Sequence, residues 1–354
     1  MKRFDRVFAL ACIGAMTLVS LATAQAQDGK KINVLLSNER TTGLHAAFSA
    51  RELGFYEDEG IEVNLLSSDT TIPYVAFLSN GDADLVMLDP GQVFQAINAD
   101  QPISVIYEAH QYAPEGIAVK AGSSIRGVAD LKGKTIGLAS DRDELTTTIA
   151  LRSVGLSKDD VRTVVVGDAG PTMAKAFLDG TIDAFAGATN DLAVIEANGV
   201  AIRNITPAVI SETPGNSFVI LDDRKEELRD VTTRFLRAWS KAMQAGVLDT
   251  KTVAAICRKN VPEQYENLDV GLRLLDIAVY KTTLQRTRER GELRPDVWQR
   301  VQAPYIELGE FSAEMDPAGF LDSSFIEGAN DYETAEVTEA LAEWREANPD
   351  ILLP

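Results

Sequence analysis

Four short polar loops hold most of the residues that could grip a small molecule. They read SNERTT (Ser37–Thr42), DPGQ (Asp89–Gln92), SDRDE (Ser140–Glu144) and GATND (Gly187–Asp191). Each follows an apolar run and precedes a helical one. Helix starts leave backbone N–H groups exposed and carry a positive dipole end, which by itself favours an anion. The side chains argue for a different cargo. Glu39, Asp89 and Asp141 would repel a sulfonate or nitrate and would accept bonds from N–H or O–H donors. Arg40 and Arg142 would offset them or clamp a carboxylate. The candidate contacts from these loops are Asn38, Glu39, Arg40, Thr42, Asp89, Gln92, Ser140, Asp141, Arg142, Thr189 and Asn190. The ligand they suit carries donors as well as acceptors, as a nitrogen heterocycle does. Asp143 and Glu144 read as helix N-caps.

The chain has two histidines, His45 and His110, both beside strand ends. Each is a candidate ligand contact, and so is Tyr112, whose ring offers a stacking face. The same histidines are the candidates for a general base, which keeps an enzyme on this scaffold as an alternative. No Gly-x-Ser-x-Gly, Walker loop, Gly-x-Gly-x-x-Gly or paired-cysteine site is present. The expectation is therefore a protein that is not an enzyme, with no cofactor and no metal.

The elements that must carry these residues come in two copies. GDADLVMLDPGQVFQAIN (Gly81–Asn98) is echoed by GTIDAFAGATNDLAVIEAN (Gly180–Asn198), and Lys31–Phe55 by Lys134–Leu156. The landmarks keep step: Ser37 pairs with Ser140, Gly54 with Gly155, Gly81 with Gly180. Strand-like runs occur at Ile32–Leu36, Ile61–Leu66, Leu85–Leu88 and Ile103–Tyr107. A second series runs Thr135–Ala139, Thr163–Val166, Ile182–Ala186 and Val200–Ile205. Helical patterns between them imply α/β lobes with mostly parallel sheets. Ligands of such sheets sit at the carboxyl ends of the strands, so two copies make two jaws facing across a cleft. Pro- and Gly-bearing stretches at Gln111–Val119 and Glu212–Leu221 would carry the chain across and back, with a hinge there. After Asp222 the chain turns helical, with Leu228, Val231, Phe235, Trp239 and Ala242 on one stripe. The division is residues 30–115 as lobe one, completed by 216–354, and 116–215 as lobe two.

The first 26 residues stand apart. Lys2, Arg3 and Arg6 precede an apolar run, Val7–Ala24, and small residues follow at Ala24 and Ala26: the layout of a secretory signal peptide. A retained anchor, making the chain a membrane-tethered sensor, is the alternative. Cleavage would take three positive charges and one negative, moving the net charge from −19 to −21. So acidic a chain repels nucleic acid, and none is expected as a partner. Cleavage would also leave Cys257 alone, in an apolar helical stretch that suits burial.

Several stretches resemble the periplasmic solute-binding proteins of ABC importers. They are Ala50–Leu66 (ARELGFYEDEGIEVNLL), Gly81–Val93 (GDADLVMLDPGQV), the lobe-two entry Val128–Gly167 (VADLKGKTIGLAS and onward), and Gly291–Phe311 with Phe320–Ile326. The resemblance is to the branch serving thiamine-pyrimidine precursors, sulfonates, taurine, nitrate and aromatic acids. It implies the two-lobed periplasmic-binding-protein type II fold, a small-molecule ligand, a periplasmic monomer, and docking on an inner-membrane permease. It also implies that ligand contacts lie in the four loops named above. The charged SDRDE loop departs from the neutral loop of sulfonate and nitrate binders. This leaves an alkanesulfonate, taurine, nitrate or an aromatic carboxylate, the sulfonate or carboxylate held by Arg40 and Arg142, as the alternative cargo. The related yeast pyrimidine-forming enzymes need a cysteine cluster, which this chain lacks.

Overall fold

Period-two alternation decides which side of each sheet a residue faces. In the first strand Ile32 and Val34 enter one core and Leu35 the other. The computed structural model describes residues 30–37, 41–67, 73–141, 143–167, 169–282 and 288–353. The expected signal peptide and the candidates Asn38, Glu39, Arg40 and Arg142 lie outside the described residues.

Among the described residues the strands are β1 (Lys30–Leu35), β2 (Ile61–Leu66), β3 (Leu85–Leu88), β4 (Ile103–Glu108), β5 (Glu115–Lys120), β6 (Thr135–Leu138), β7 (Arg162–Val165), β8 (Ala184–Ala188), β9 (Ile202–Asn204) and β10 (Ser217–Leu221). They form two five-stranded sheets, ordered β2-β1-β3-β10-β4 and β7-β6-β8-β5-β9. The sheets repeat one plan. β1 pairs parallel with β2 and β3, as β6 does with β7 and β8. β10 runs against β3 and β4, and β5 against β8 and β9. Four strands of each sheet thus run one way and the fifth opposes them. That opposing strand is in each case the one entered just after a crossing from the other sheet.

The helices that matter for the site are α1 (His45–Glu52), α2 (Pro90–Asn98), α3 (Asp143–Arg152), α4 (Gly170–Leu178), α5 (Thr189–Ala197), α6 (Lys225–Leu248), α7 (Thr250–Asn260), α8 (Leu268–Thr282), α9 (Pro295–Leu308) and α10 (Thr334–Ala347). The sequence echo has a physical cause. Gly81 and Gly180 take φ of +77° and +71°, a turn that glycine makes without strain. Each is followed three residues on by an Asp that pins a strand with parallel neighbours on both sides, β1 in one sheet and β6 in the other. Asn33 N–H donates to Asp84 Oδ2 at 2.8 Å, and Thr135 N–H to Asp183 Oδ2 at 3.0 Å. Because Asp183 serves as that pin, β8 starts at Ala184, two residues later than its apolar run suggests.

Four cores cover the four sheet faces. The largest packs α1, α6, α7 and α10 on the first sheet. There Phe218 meets Trp239 edge to face, with centroids 5.0 Å apart. The helical stripe expected after Asp222 is this packing: Leu228, Val231, Phe235, Trp239 and Ala242 are all buried in it. No described helix is long and apolar enough to cross a membrane.

Candidate functional site

The carboxyl ends of the strands meet where the two sheets adjoin. From the first sheet comes the turn Thr42–Leu44, capped by Thr41 and leading into α1. His110 Nε2 donates to the Gly43 carbonyl at 3.1 Å. From the second sheet comes the start of α5, where a Cβ at Gly43 would stand 3.7 Å from Asn190 Nδ2. Thr189 N–H donates to the Pro114 carbonyl at 2.6 Å, tying this loop to the first crossing. Gly43, His110, Thr189 and Asn190 are therefore assembled in one place from three separate segments. Tyr112, on the same crossing, is buried and stacks on Tyr280 of α8, centroids 5.5 Å apart and 24° between planes.

Other candidates have local partners. Asp89 and Gln92 cap α2 reciprocally: Gln92 N–H donates to Asp89 Oδ1 at 2.8 Å and Asp89 N–H to Gln92 Oε1 at 3.0 Å. The Ser140 N–H and hydroxyl both donate to Asp143 Oδ2, at 2.7 and 3.0 Å, so Asp143 reaches back from the first turn of α3 and does not act as its N-cap. Glu144 pairs with Lys158, and Asp141 is exposed. Thr42 is fully buried, its N–H donating to Gln264 Oε1 at 2.8 Å.

His45 is 1% exposed, and among the described residues neither ring nitrogen has a hydrogen-bond partner. It lies against Gly246 of α6, where a Cβ would come within 2.8 Å of its Cε1. Burial first, then His110 and Arg290, hold the imidazole down to about 3. At neutral pH it is uncharged. A group that binds its proton so weakly is a poor general base, which counts against His45 in that role.

Sequence reasoning missed the charge pair at the first crossing. Glu108 ends β4 and is wholly buried. Arg294 Nε donates to its Oε2 at 2.7 Å, Arg294 N–H to Oε1 at 3.0 Å, and Trp298 Nε1 to Oε1 at 3.0 Å. Arg294 Nη2 also donates to the Gln111 carbonyl, and its guanidinium lies 6.0 Å from the Tyr112 ring centroid. Burial pushes the Glu108 carboxyl up to about 7, against the pull of Arg294. A lone acid closing an otherwise apolar strand, ISVIYE, was the available signal, since such a group needs a cationic partner. Nearby, Tyr305 of α9 faces Gly91, whose added Cβ would lie 3.4 Å from the phenol oxygen. Burial, with Asp89, Glu115 and Glu310 around it, raises that phenol. Among the described residues no cluster of His, Cys, Asp and Glu is arranged to hold a metal.

Two mixed sheets with facing strand ends and two crossings define the periplasmic-binding-protein fold. The aliphatic sulphonate binding protein SsuA of Escherichia coli has it too, with a TM-score of 0.61 at 16% identity over 82% of this chain and 91% of that one. The family described as NMT1/THI5 like matches residues 41–249, more than half of the chain, and the chain belongs to it. A Haemophilus influenzae protein named for thiamine biosynthesis is 27% identical over 251 residues, 68% of this chain and 75% of that protein. The riboflavin-binding protein RibY of Chloroflexus aurantiacus is 21% identical over 299 residues, 80% of this chain and 82% of that protein.

One expectation is overturned. Two fungal relatives are named 4-amino-5-hydroxymethyl-2-methylpyrimidine phosphate synthase, an enzyme. They are 26% identical over 153 residues in Schizosaccharomyces pombe and 28% over 161 in Uromyces fabae, each under half of either chain. The chain's relatives thus include named enzymes, so neither the lack of a familiar motif nor the lack of a cysteine cluster supports the expectation that this chain is not an enzyme.

Proposed function

We propose that the protein is the solute-capturing subunit of an ABC import system. Its two lobes, 30–115 with 216–354 and 116–215, close on a small nitrogen heterocycle, first a thiamine-type pyrimidine precursor. The protein leaves the cytoplasm by its N-terminal signal, works in the periplasm as a monomer, and delivers its cargo to an inner-membrane permease. The observation that carries this reading is the family match, which runs through both sheets and both crossings. The names of the pyrimidine-related relatives support the choice of cargo. The acidic residues of the loops support it as well, since Glu39, Asp89 and Asp141 suit a ligand that donates hydrogen bonds. The riboflavin-binding relative, which matches over most of both chains, favours a second reading in which the heterocycle is a larger fused ring.

Calorimetry on the exported protein tests this with 4-amino-5-hydroxymethyl-2-methylpyrimidine, its phosphate, riboflavin, taurine, nitrate and benzoate. Saturable heat with the pyrimidines is expected. Heat with taurine or nitrate alone refutes the choice of cargo, and silence across the panel refutes solute capture.

A further inference from the structure

We propose that Glu108 and Arg294 form a latch on the first crossing between the two lobes, so that these positioning residues set the balance between closed and open forms without touching cargo. The inference rests on the reading above that the lobes move about the two crossings. Glu108 is the last residue of its strand before the chain leaves the first sheet, and Gln111 and Tyr112 lie on the crossing itself. Arg294 is anchored at one end by the buried carboxylate and grips the crossing at the other, through the Gln111 carbonyl. The second crossing is held against the first. Gly215 N–H donates to the His110 carbonyl at 2.8 Å and His110 N–H to the Asn216 carbonyl at 3.0 Å. A Cβ at Gly215 would come within 2.7 Å of the Tyr112 carbonyl oxygen, so nothing larger than glycine fits there unless the crossing moves.

The same arginine opens α9, which continues from one lobe to the other. Its Tyr305 and Leu308 pack on the second lobe's core, and Arg152 Nη1 of α3 donates to the Glu307 carbonyl at 3.3 Å. The lobes touch in this arrangement, through Gly43 and Asn190 and through Arg273 and Glu196, 4.0 Å apart. Turning lobe two about residues 109–114 moves the Gln111 carbonyl relative to Arg294. Opening therefore breaks a charge-assisted bond inside the protein, and closing remakes it.

The latch also responds to pH. The groups facing Glu108 are Arg294, with Arg290 in the same segment, and Trp298 from α9. Tyr107, His110 and Tyr112 lie on its own strand and crossing, and uncharged Ser217 faces it from β10. Burial brings the carboxyl to about 7, so acidification below neutrality discharges the anchor and slackens the grip on Gln111.

The test needs no cargo, so its failure is distinct from failure of the capture reading. Spin labels at the exposed positions Glu57→Cys and Asp159→Cys report the distance between lobes by pulsed electron resonance. Cys257 is buried and stays unlabelled. At pH 8 the wild type should give one dominant distance, and at pH 6 the longer, open distance should gain about threefold in population. Glu108→Gln should give the same distribution at both values, and Arg294→Met should raise the open population about tenfold. Circular dichroism checks that each variant folds, and if Arg294→Met does not, the wild-type pH series and Glu108→Gln decide alone. A wild-type distribution that ignores pH, or folded variants that superimpose on it, overturns the latch.

Discussion

Replacing His45 by glutamine should flatten the acid sensitivity of the first lobe. The imidazole is buried against Gly246, and among the described residues neither nitrogen has a partner. It stays neutral down to about 3, whereas in the unfolded chain it takes a proton near 6.5. A folded-state value below the unfolded one favours the native protein above 6.5, and that advantage is lost as pH falls toward 3. By linkage the loss is about 2 kcal/mol at pH 5 and reaches at most about 5 kcal/mol once the whole interval is crossed. Glu108 works in the opposite direction. Its carboxyl is raised to about 7, so it returns stability as pH falls from there toward its ordinary value. The paired carboxylates Glu52, Asp249, Asp322 and Glu336, all held low, matter only at still lower pH. Wild type and His45→Gln share all of these groups, so the difference between the two proteins isolates His45. Trp239, Trp298 and Trp344 all belong to the lobe that holds His45, so urea titrations followed by intrinsic fluorescence report that lobe. The stability difference, wild type minus variant, should fall by about 2 kcal/mol between pH 7.5 and pH 5. A difference that stays level, or that grows in acid, would refute the sealed neutral imidazole.

Asp84→Ala and Asp183→Ala should each cost about 1–3 kcal/mol by orphaning a strand backbone N–H, that of Asn33 in β1 or of Thr135 in β6. The double variant should be close to additive because the sites lie in different sheets, and denaturant midpoints read both effects. Cys257, whose thiol burial raises to about 12, should ignore Ellman's reagent in the native protein and react fully once denaturant opens α7.

The doubled plan was legible because it is written locally. A glycine turn, an aspartate, an apolar run and a helix follow one another within twenty residues, and each sheet uses them alike. What the sequence hides is what sits far off along the chain. Tyr112 offered a ring for stacking, but Tyr280, far along the chain, occupies a face of it. Glu108 and Arg294 are 186 positions apart, and no periodicity links them. The polar loops carry a second meaning. Asp89, Gln92 and Ser140 have the residue types of ligand contacts, but helix starts need the same types for capping, and here they are joined to local backbone and side-chain partners. Strand direction was also hidden, because β5 and β10 look like any apolar run, and only their pairing shows that they oppose their neighbours.

The placement of β10 has a consequence for how the molecule is made. Among the described residues β4 has no neighbouring strand in its sheet except β10, which arrives more than a hundred residues later. The second sheet, by contrast, is built from one unbroken length of polypeptide, β5 to β9. As the chain emerges from a ribosome or a translocation pore, the later-encoded lobe has all its strands first. The earlier-encoded one waits with a gap between β3 and β4 until residue 221 has appeared.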